Sequence, residues 1–395
     1  MNYCDNNLSL RGKNWEIFEK TVNDLDAHTQ CEFISLGECQ LYHVIKNNAA
    51  ETQLTMQNFD RLDLVAVLTG KERIPRVRGD YQSLLDSVSD SVSEDEIIET
   101  SLNNVIVTHK KKIFFMGKDA IISLNERVGI QSKNMSTHSV LRTLNLDQAL
   151  KTKEKVICQF IYRTDGMYRK VMYCGTMNFQ YIPDTVILNL VKHYKGGNLI
   201  LRYYEITQKT TKVFFDFDED VPGDYKPGIM IQNSSFGNSL FSIRGIWSKD
   251  TSYIVQDQID QMHQVGWTEK KTIQKMNERV MNDRTSFVKK MEYLKKIPLF
   301  SEKMSELAMR ERLHQLLVDT KKTLQLTKLN IPTREYSKIR SNWERDYANQ
   351  KLTAYDLVSL LCSLPDLLVV AKPQAIDNLR KKIFDWVIET NFENL

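Results

Sequence analysis

The chain has 395 residues and a formal net charge of +4, and its 42% hydrophobic and 26% charged residues are typical of a soluble globular protein with two or three domains. Its longest apolar runs, such as residues 364–371, are too short to cross a bilayer, and its first ten residues lack the basic start and apolar core of a secretory signal. Six cysteines without paired spacing argue against a disulfide framework or a zinc site, so we expect free thiols, a cytoplasmic location and no membrane partner.

Charge is distributed unevenly along the chain. Residues 1–100 carry 9 basic and 18 acidic side chains, residues 101–250 carry 21 and 13, and residues 251–395 carry 24 and 19. We therefore divide the chain into an acidic mixed α/β N-terminal region (1–100), a basic β-rich core domain (101–250) and a helical C-terminal region (251–395). The distribution is that of a polyanion-binding body with an acidic appendage, and equally that of a simple solubility gradient.

The N-terminal region is predicted to begin with a helix and to continue in strands. Residues 15–27 form the helix, because the apolar residues from Trp15 to Leu25 share one face. A strand-like region at 31–45 is interrupted at 37–38, and residues 60–68 are apolar enough to be buried. Residues 71–80 are typical of an exposed loop, and the serine- and acid-rich residues 83–100 form either a short amphipathic helix or a mobile linker.

The core domain is predicted to be rich in β-hairpins. Two short strands within 104–115 flank the basic residues 109–112, and helices follow at 119–127 and about 146–151. Apolar, β-branched runs at 156–162 and 169–174 are joined by Asp165-Gly166, which predicts a hairpin. Pro183 suits the first turn of a helix that runs to about residue 193. Further strands are expected at 199–206 and 212–217, and 228–247 holds two apolar runs around a turn-rich segment.

The C-terminal region is predicted to be helical. Apolar residues recur from Ile254 to Val280, which favours one long helix over 251–300 that Pro298 ends or bends. Further helices are expected at 304–329 and 375–390. The complete pattern predicts an α+β protein with a central antiparallel β-rich core, crossing helices and a helical C-terminal third.

Four stretches carry a resemblance to a known family. They are DAIISLNERVG (119–129), the arginine-turn-arginine-strand-helix order of 163–190, KPGIMIQNSSFGNSLFSIRGIW (226–247) and LTAYDLVSLLCSLPD (352–366). In this order they resemble the phage- and plasmid-like family named only as domain of unknown function 932. That family often continues with a Cys-x-Asn-Gly turn where this chain has residues 247–250. The resemblance implies a virus- or plasmid-encoded protein, commonly found with DNA-processing genes and located in the host cytoplasm, whose family activity is not established.

Basic residues interleaved with tyrosines indicate a nucleic-acid interface. Lysine and arginine neutralise phosphates, and tyrosine rings stack on unpaired bases, which suits single strands better than duplexes. The predicted interface residues lie on the hairpin, at the end of the following helix and at the tip of an earlier hairpin: Arg163, Tyr168, Arg169, Lys170, Tyr173, Lys192, Lys195, Lys110, Lys111 and Lys112.

Strand alternation divides the hairpin cations between two faces. It puts Arg169 and Tyr173 on one side and Lys170 on the other, with Met172 and Cys174 beside Lys170. The alternative is that the tyrosines pack in a core while the cations, including the lysines of 270–296, form a solvated surface.

An acidic run offers a different chemistry. Alternation places Asp216, Asp218 and Asp220 on one side of a strand, and clustered carboxylates can hold Mg²⁺ for phosphodiester cleavage. A solvated loop explains the same residues. The chain has no GxxxxGK[ST] and no HExxH, so we predict no catalytic residues, metal site or cofactor.

The sequence thus predicts a non-catalytic nucleic-acid-binding protein of phage or plasmid DNA metabolism, with single-stranded DNA as the favoured partner. Strand annealing and a homo-oligomeric state are left open. A virus-encoded structural or host-interaction protein is one alternative, and a metal-dependent nuclease is the other.

Overall fold

The computed structural model shows an α+β fold with two sheets among the residues that it describes. These residues are 4, 8–48, 51–58, 64–69, 105–110, 112–130, 139–153, 155–165, 168–195, 197–218, 225–236, 240–249, 252–261, 268–300, 304–323, 333–347, 351–362 and 373–389. The predicted loop at 71–80 and the serine- and acid-rich stretch at 83–100 lie outside them.

The six-stranded sheet is antiparallel throughout. Its strands in spatial order are β1 (Ser9–Gly12), β10 (Leu199–Thr207), β11 (Thr211–Phe217), β12 (Lys226–Asn233), β13 (Phe241–Lys249) and β14 (Ser252–Gln261). The predicted strands at 199–206 and 212–217 and the two apolar runs of 228–247 are confirmed as its four central strands.

The eight-stranded sheet is mixed. Its strands in spatial order are β2 (Thr29–Ser35), β8 (Ile157–Asp165), β9 (Tyr168–Gly175), β7 (Lys112–Met116), β6 (Val105–His109), β3 (Gln40–Asn48), β4 (Glu51–Asn58) and β5 (Leu64–Thr69). Only β7 and β9 pair in parallel among these strands, and the hairpin predicted at 156–174 is the antiparallel pair β8–β9.

Nine α-helices are described, and a 3₁₀ turn at Leu36–Glu38 interrupts the early strands where the sequence predicted an interruption. The helices are α1 (Trp15–His28), α2 (Lys118–Val128), α3 (Ser139–Thr152), α4 (Thr185–Lys192), α5 (Glu269–Lys296), α6 (Glu306–Thr323), α7 (Thr333–Tyr347), α8 (Ala354–Leu361) and α9 (Pro373–Glu389).

Helices α1 and α4 cover one face of the six-stranded sheet. Asn14 begins α1, because its side-chain oxygen accepts a hydrogen bond from the backbone N–H of Ile17 at 3.1 Å. The buried side of α1 presents Phe18 to the sheet, where its ring centroid lies 5.1 Å from that of Tyr204. Met276 of α5 joins the same core, so three helices pack on this face.

The opposite face of the six-stranded sheet is covered by C-terminal helices and contains a buried ion pair. Asp377 of α9 is fully buried, and its Oδ2 lies 3.0 Å from Nη1 of Arg244 in β13. The hydroxyl of Tyr253 donates to Oδ1 of Asp377 at 2.5 Å. Arg380, one turn further along α9, donates to the carbonyl oxygen of Tyr253 at 2.7 Å. These contacts attach α9 to β13 and β14.

The prediction of one helix over residues 251–300 is wrong for its first part. Residues 252–261 form β14, which pairs with β13, and α5 begins only after Thr268, whose hydroxyl accepts from the backbone N–H of Lys271. Both faces are covered at the start of β14, where Val255 packs with Phe214 and Ile254 packs with the C-terminal helices. A strand buried on both faces has no apolar–polar alternation, so its sequence resembles a buried helix.

The predicted boundaries at residues 100 and 250 each separate strands that pair. Strand β3 pairs with β6 across residue 100, and β13 pairs with β14 across residue 250. The N-terminal region also contributes to both sheets, because β1 pairs with β10 while β2 pairs with β8. The described strands of the first quarter are therefore interleaved with those of the basic core.

Candidate nucleic-acid interface

The hairpin cations Arg163 and Lys170 are buried. They lie directly opposite each other on β8 and β9, and only 3% and 2% of their surfaces are exposed. Lys170 Nζ donates to the carbonyl oxygen of Cys4 at 2.6 Å, and the Arg163 guanidinium lies 5.0 Å from the ring centroid of Phe236. Burial lowers the pKa of Arg163, and the carboxyl of Asp184 opposes that shift. These two predicted interface residues therefore face the interior.

A β-bulge changes the predicted division of faces on β9. Val171 pairs with Tyr162 and Tyr173 pairs with Ile161, which leaves Met172 as the extra residue. Tyr173 consequently lies on the face of Lys170 and not on that of Val171. Its ring is half-buried, 5.0 Å from that of Phe179, and burial raises the pKa of its hydroxyl.

The remaining hairpin residues add little to one exposed surface. Arg169 is half-buried. Tyr168 lies in β9, and its side chain is outside the described part of the chain. Among the described side chains of this hairpin, Arg163 and Lys170 are thus buried and Tyr173 is half-buried, so these three do not form the exposed surface that the sequence predicted.

The lysines at the β6–β7 turn are paired with acidic residues of the N-terminal region. Lys110, with a left-handed backbone (φ 47°), places its Nζ 3.4 Å from Glu38, and Lys112 places its Nζ 2.7 Å from Glu32. Lys111 lies outside the described residues. Because Lys110 is 71% exposed and exposed ion pairs are worth at most about 1 kcal/mol, it can exchange Glu38 for a phosphate.

Lys192 and Lys195 are exposed, at the end of α4. The side chain of Asn277 in α5 holds this end, because its Oδ1 accepts from the backbone N–H of Lys195 at 2.7 Å and its Nδ2 donates to the carbonyl oxygen of His193 at 3.3 Å. A helix C-terminus also favours positive charge.

The adjoining turns of α5 present three more exposed lysines. Thr272 and Met276 face the core, which leaves the outer side of the helix to Lys270, Lys271 and Lys275, with Glu278 bonded to Gln274 beside them. Lys270 lies seven residues before Asn277, about 10 Å along the helix and on the same side, whereas Lys271 and Lys275 lie about 120° and about 160° around the helix from Asn277. We call the five residues Lys192, Lys195, Lys270, Lys271 and Lys275 the basic surface.

A groove of about 580 Å³ opens between α1 and α4 beside Lys192. Its apolar lining comes from Trp15 and Phe215, whose ring centroids are 5.9 Å apart, and from leucines of α4 and β10. Its polar lining comes from Glu19, Asn23, Thr185, Asn189 and Lys192. The sequence offered no signal for this groove, because its two walls are about 170 residues apart in the chain.

A buried polar cluster fixes the relative position of the two groove helices. Asp26 of α1 accepts hydrogen bonds from the backbone N–H groups of Asp184 and Thr185, at 3.2 and 2.7 Å. Asp184 in turn accepts from Thr211 and Asn233, both at 2.7 Å. Asn233, which belongs to the quoted stretch 226–247, also donates to the carbonyl oxygen of Ile182 at 2.8 Å. The start of α4 is thereby attached to both α1 and the six-stranded sheet.

The carboxyl of Asp184 is held in an environment that disfavours its charge. Burial, followed by the neighbouring carboxylate of Asp26, raises its pKa to about 6. The hydrogen bonds from Thr211 and Asn233 and the charge of Arg163 lower the pKa and offset only part of that rise. Sequence inspection missed Asp184 because its partners lie 27 and 49 residues away.

The acidic run is only partly described. Both oxygens of Asp216 lie 3.0 Å from Nε of Arg202, and its Oδ1 also accepts from Ser248. Asp218 is exposed, whereas residues 219–224 lie outside the described part of the chain. Within that described part, no group of three or more histidine, cysteine, aspartate or glutamate side chains could hold a metal ion.

Comparisons with family models, curated proteins and solved structures gave no match. No described helix has both the length and the apolar character needed to cross a membrane.

Proposed function

We propose that this protein binds nucleic acid without catalysis, that single-stranded DNA is its favoured partner, and that the basic surface makes the phosphate contacts. The observation that carries the proposal is the fixed, exposed position of Lys192 and Lys195. The backbone N–H of Lys195 donates to Asn277 of α5, and the exposed lysines Lys270, Lys271 and Lys275 lie within two helical turns of that contact.

The physical basis is the release of counterions from a polyanion. Each lysine that neutralises a phosphate releases part of one condensed counterion, so the logarithm of the binding constant falls linearly with the logarithm of the salt concentration. Five contacts to a single strand give a slope of about −3.5, which is roughly a hundredfold loss of affinity between 50 and 200 mM salt.

The preference for single strands rests on the groove beside the basic surface. An unpaired base can leave its neighbours and enter a cleft that contains an aromatic ring, whereas a base inside a duplex cannot do so without unpairing. Trp15 is that ring, and Lys192 belongs to both the groove and the basic surface.

The biological setting is a further part of the proposal. The resemblance of four stretches to the family of domain of unknown function 932 remains a prediction, and from it come a phage or plasmid origin and a location in the host cytoplasm. A role in strand annealing rests on a separate analogy, that of a β-hairpin with a crossing helix to the units of single-strand annealing proteins. A homo-oligomer is compatible with β2, an edge strand of the eight-stranded sheet on which Phe33 is 57% exposed.

The test is a titration of the purified protein with one fluorescent 30-nucleotide sequence in single-stranded and duplex form, at 50 and 200 mM salt. We expect tighter binding of the single strand and a strong loss of affinity at the higher salt. Binding that is absent, or equal at both salt concentrations, would reject the proposal and favour a structural or host-interaction protein. Cleavage that requires Mg²⁺ and disappears in the variant with both Asp216→Ala and Asp218→Ala would favour the nuclease.

A further inference from the structure

The groove between α1 and α4 combines features that suit a flat, hydrogen-bonding ring. Its volume of about 580 Å³ falls within the range of small-molecule sites, and such sites pair apolar walls with a few polar groups that fix orientation. Here the apolar side includes Trp15, and the polar groups are the carboxylate of Glu19 with the amides of Asn23 and Asn189.

We infer that this groove receives one unpaired base of the bound strand, with the base against Trp15 and the adjoining phosphate on Lys192. The inference rests on the proposed function and adds to it a base-binding site. The groove and the basic surface are continuous, because Lys192 lines the groove and also belongs to the basic surface. A strand whose phosphates lie on that surface can therefore place a base in the groove.

Charge inside the groove determines which part of a nucleotide enters. Glu19 lines the groove, and a carboxylate repels a phosphate while it accepts hydrogen bonds from N–H donors. The ammonium group of Lys192, in contrast, attracts a phosphate. A nucleotide therefore fits with its base inward and its phosphate outward, and a free anion does not fit the interior.

The same carboxylate gives the groove a preference among bases. Cytosine and adenine each carry an exocyclic amino group that can donate a hydrogen bond to Glu19. This amino group does not stand between two carbonyl oxygens. The single N–H donor of thymine stands between two carbonyl oxygens, which a carboxylate repels. We therefore expect amino-bearing bases to bind better than thymine.

The groove is held open by contacts outside it. Asp26 accepts from the backbone N–H groups of Asp184 and Thr185, so both walls are joined at one end by partly buried hydrogen bonds. A site that is already formed loses less free energy on binding than one that must be assembled.

The test compares binding of the single-stranded oligonucleotides dC12 and dT12 to the full chain at pH 7.5, in wild type, Glu19→Met and Glu16→Met. Glu16 and Glu19 are both exposed on α1, but only Glu19 lines the groove, so the two variants change the net charge equally. We expect wild type and Glu16→Met to bind dC12 about tenfold more tightly than dT12, because one charge-assisted hydrogen bond contributes about tenfold in affinity. The affinities of Glu19→Met for dC12 and dT12 should differ by no more than about twofold.

Photocrosslinking supplies a second measurement that needs no substitution. A dC12 strand with one 5-iodo-2′-deoxycytidine is irradiated with wild-type protein, and the peptide that contains Trp15 should carry the crosslink. The base site is overturned if the ratio of the binding constants for dC12 and dT12 is the same in Glu19→Met as in wild type, or if the crosslink is confined to other peptides. In either case salt-sensitive binding still supports the proposed function. Absence of binding to either oligonucleotide overturns both.

Discussion

Replacement of Asp184 by asparagine should remove a specific part of the pH dependence of stability. Asp184 is 4% exposed, and burial beside Asp26 raises its pKa to about 6 from the value of 3.8 for a free side chain. Because the pKa is higher in the folded state, the folded chain binds more protons than the unfolded chain between about pH 4 and pH 6. The contribution of Asp184 to stability is therefore greatest below pH 4 and falls as the pH rises through 6.

The size of this effect follows from the difference between the two pKa values. About two pH units at 1.36 kcal/mol each give about 3 kcal/mol between pH 4 and pH 7. Asparagine cannot ionise, and it keeps an oxygen that can accept a hydrogen bond from Asn233. The free energy of unfolding of the variant should therefore lack this pH-dependent contribution.

The assay is urea unfolding, followed by tryptophan fluorescence, of wild type, Asp184→Asn and the exposed control Asp218→Asn at half-unit steps from pH 4.5 to 7.5. The free energy of unfolding of wild type minus that of Asp184→Asn should decrease with rising pH and level off above about pH 6.5. For the control, the corresponding difference should stay constant within about 0.5 kcal/mol. A difference for Asp184→Asn that stays constant, or that increases with pH, would refute the raised pKa and its cause.

Two further stability predictions follow from the six-stranded sheet. Asp377→Ala removes the buried ion-pair partner of Arg244 and should lower the free energy of unfolding by about 3–5 kcal/mol. The control Asp385→Ala removes the partner of the partly exposed Lys381 on the same helix and should lower it by less than about 1 kcal/mol. Similar losses in the two variants by urea unfolding would contradict the role of the buried pair. Gly228→Ala should lower the melting temperature followed by circular dichroism, because its Cβ would overlap the carbonyl oxygen of Phe215 and such overpacking costs about 1–3 kcal/mol. An unchanged melting temperature would show that β11 and β12 can separate at no cost.

The hairpins could be predicted from sequence because their signals are local. The turn at 165–166 stands between two β-branched runs, and the predicted strands match β8 and β9 within three residues. The limits of α1 follow in the same way from one apolar face and the capping residue Asn14. The start of β14 could not be recognised, because Ile254 and Val255 are covered on opposite faces and show no apolar–polar alternation.

The candidate interface was predicted less well, because solvent exposure depends on residues that are distant in sequence. Alternation assigned Lys170 to a face, but that face is covered by the segment of Cys4, 166 residues away. Arg163 is similarly covered by Phe236. Lys192 and Lys195 do reach solvent, and the backbone of Lys195 is held by Asn277, which no local pattern connects to it.

The central claim is that Lys192 and Lys195 contact phosphates, and the salt dependence of binding tests it most directly. Binding constants for one single-stranded 30-nucleotide DNA are measured at four salt concentrations for wild type, for the double variant Lys192→Glu and Lys195→Glu, and for the control Lys338→Glu and Lys382→Glu. The control lysines are exposed on α7 and α9 and change the net charge equally. We predict that the slope of wild type and control, about −3.5, becomes shallower by about 1.4 in the Lys192 and Lys195 variant. Equal slopes in all three proteins would contradict the account.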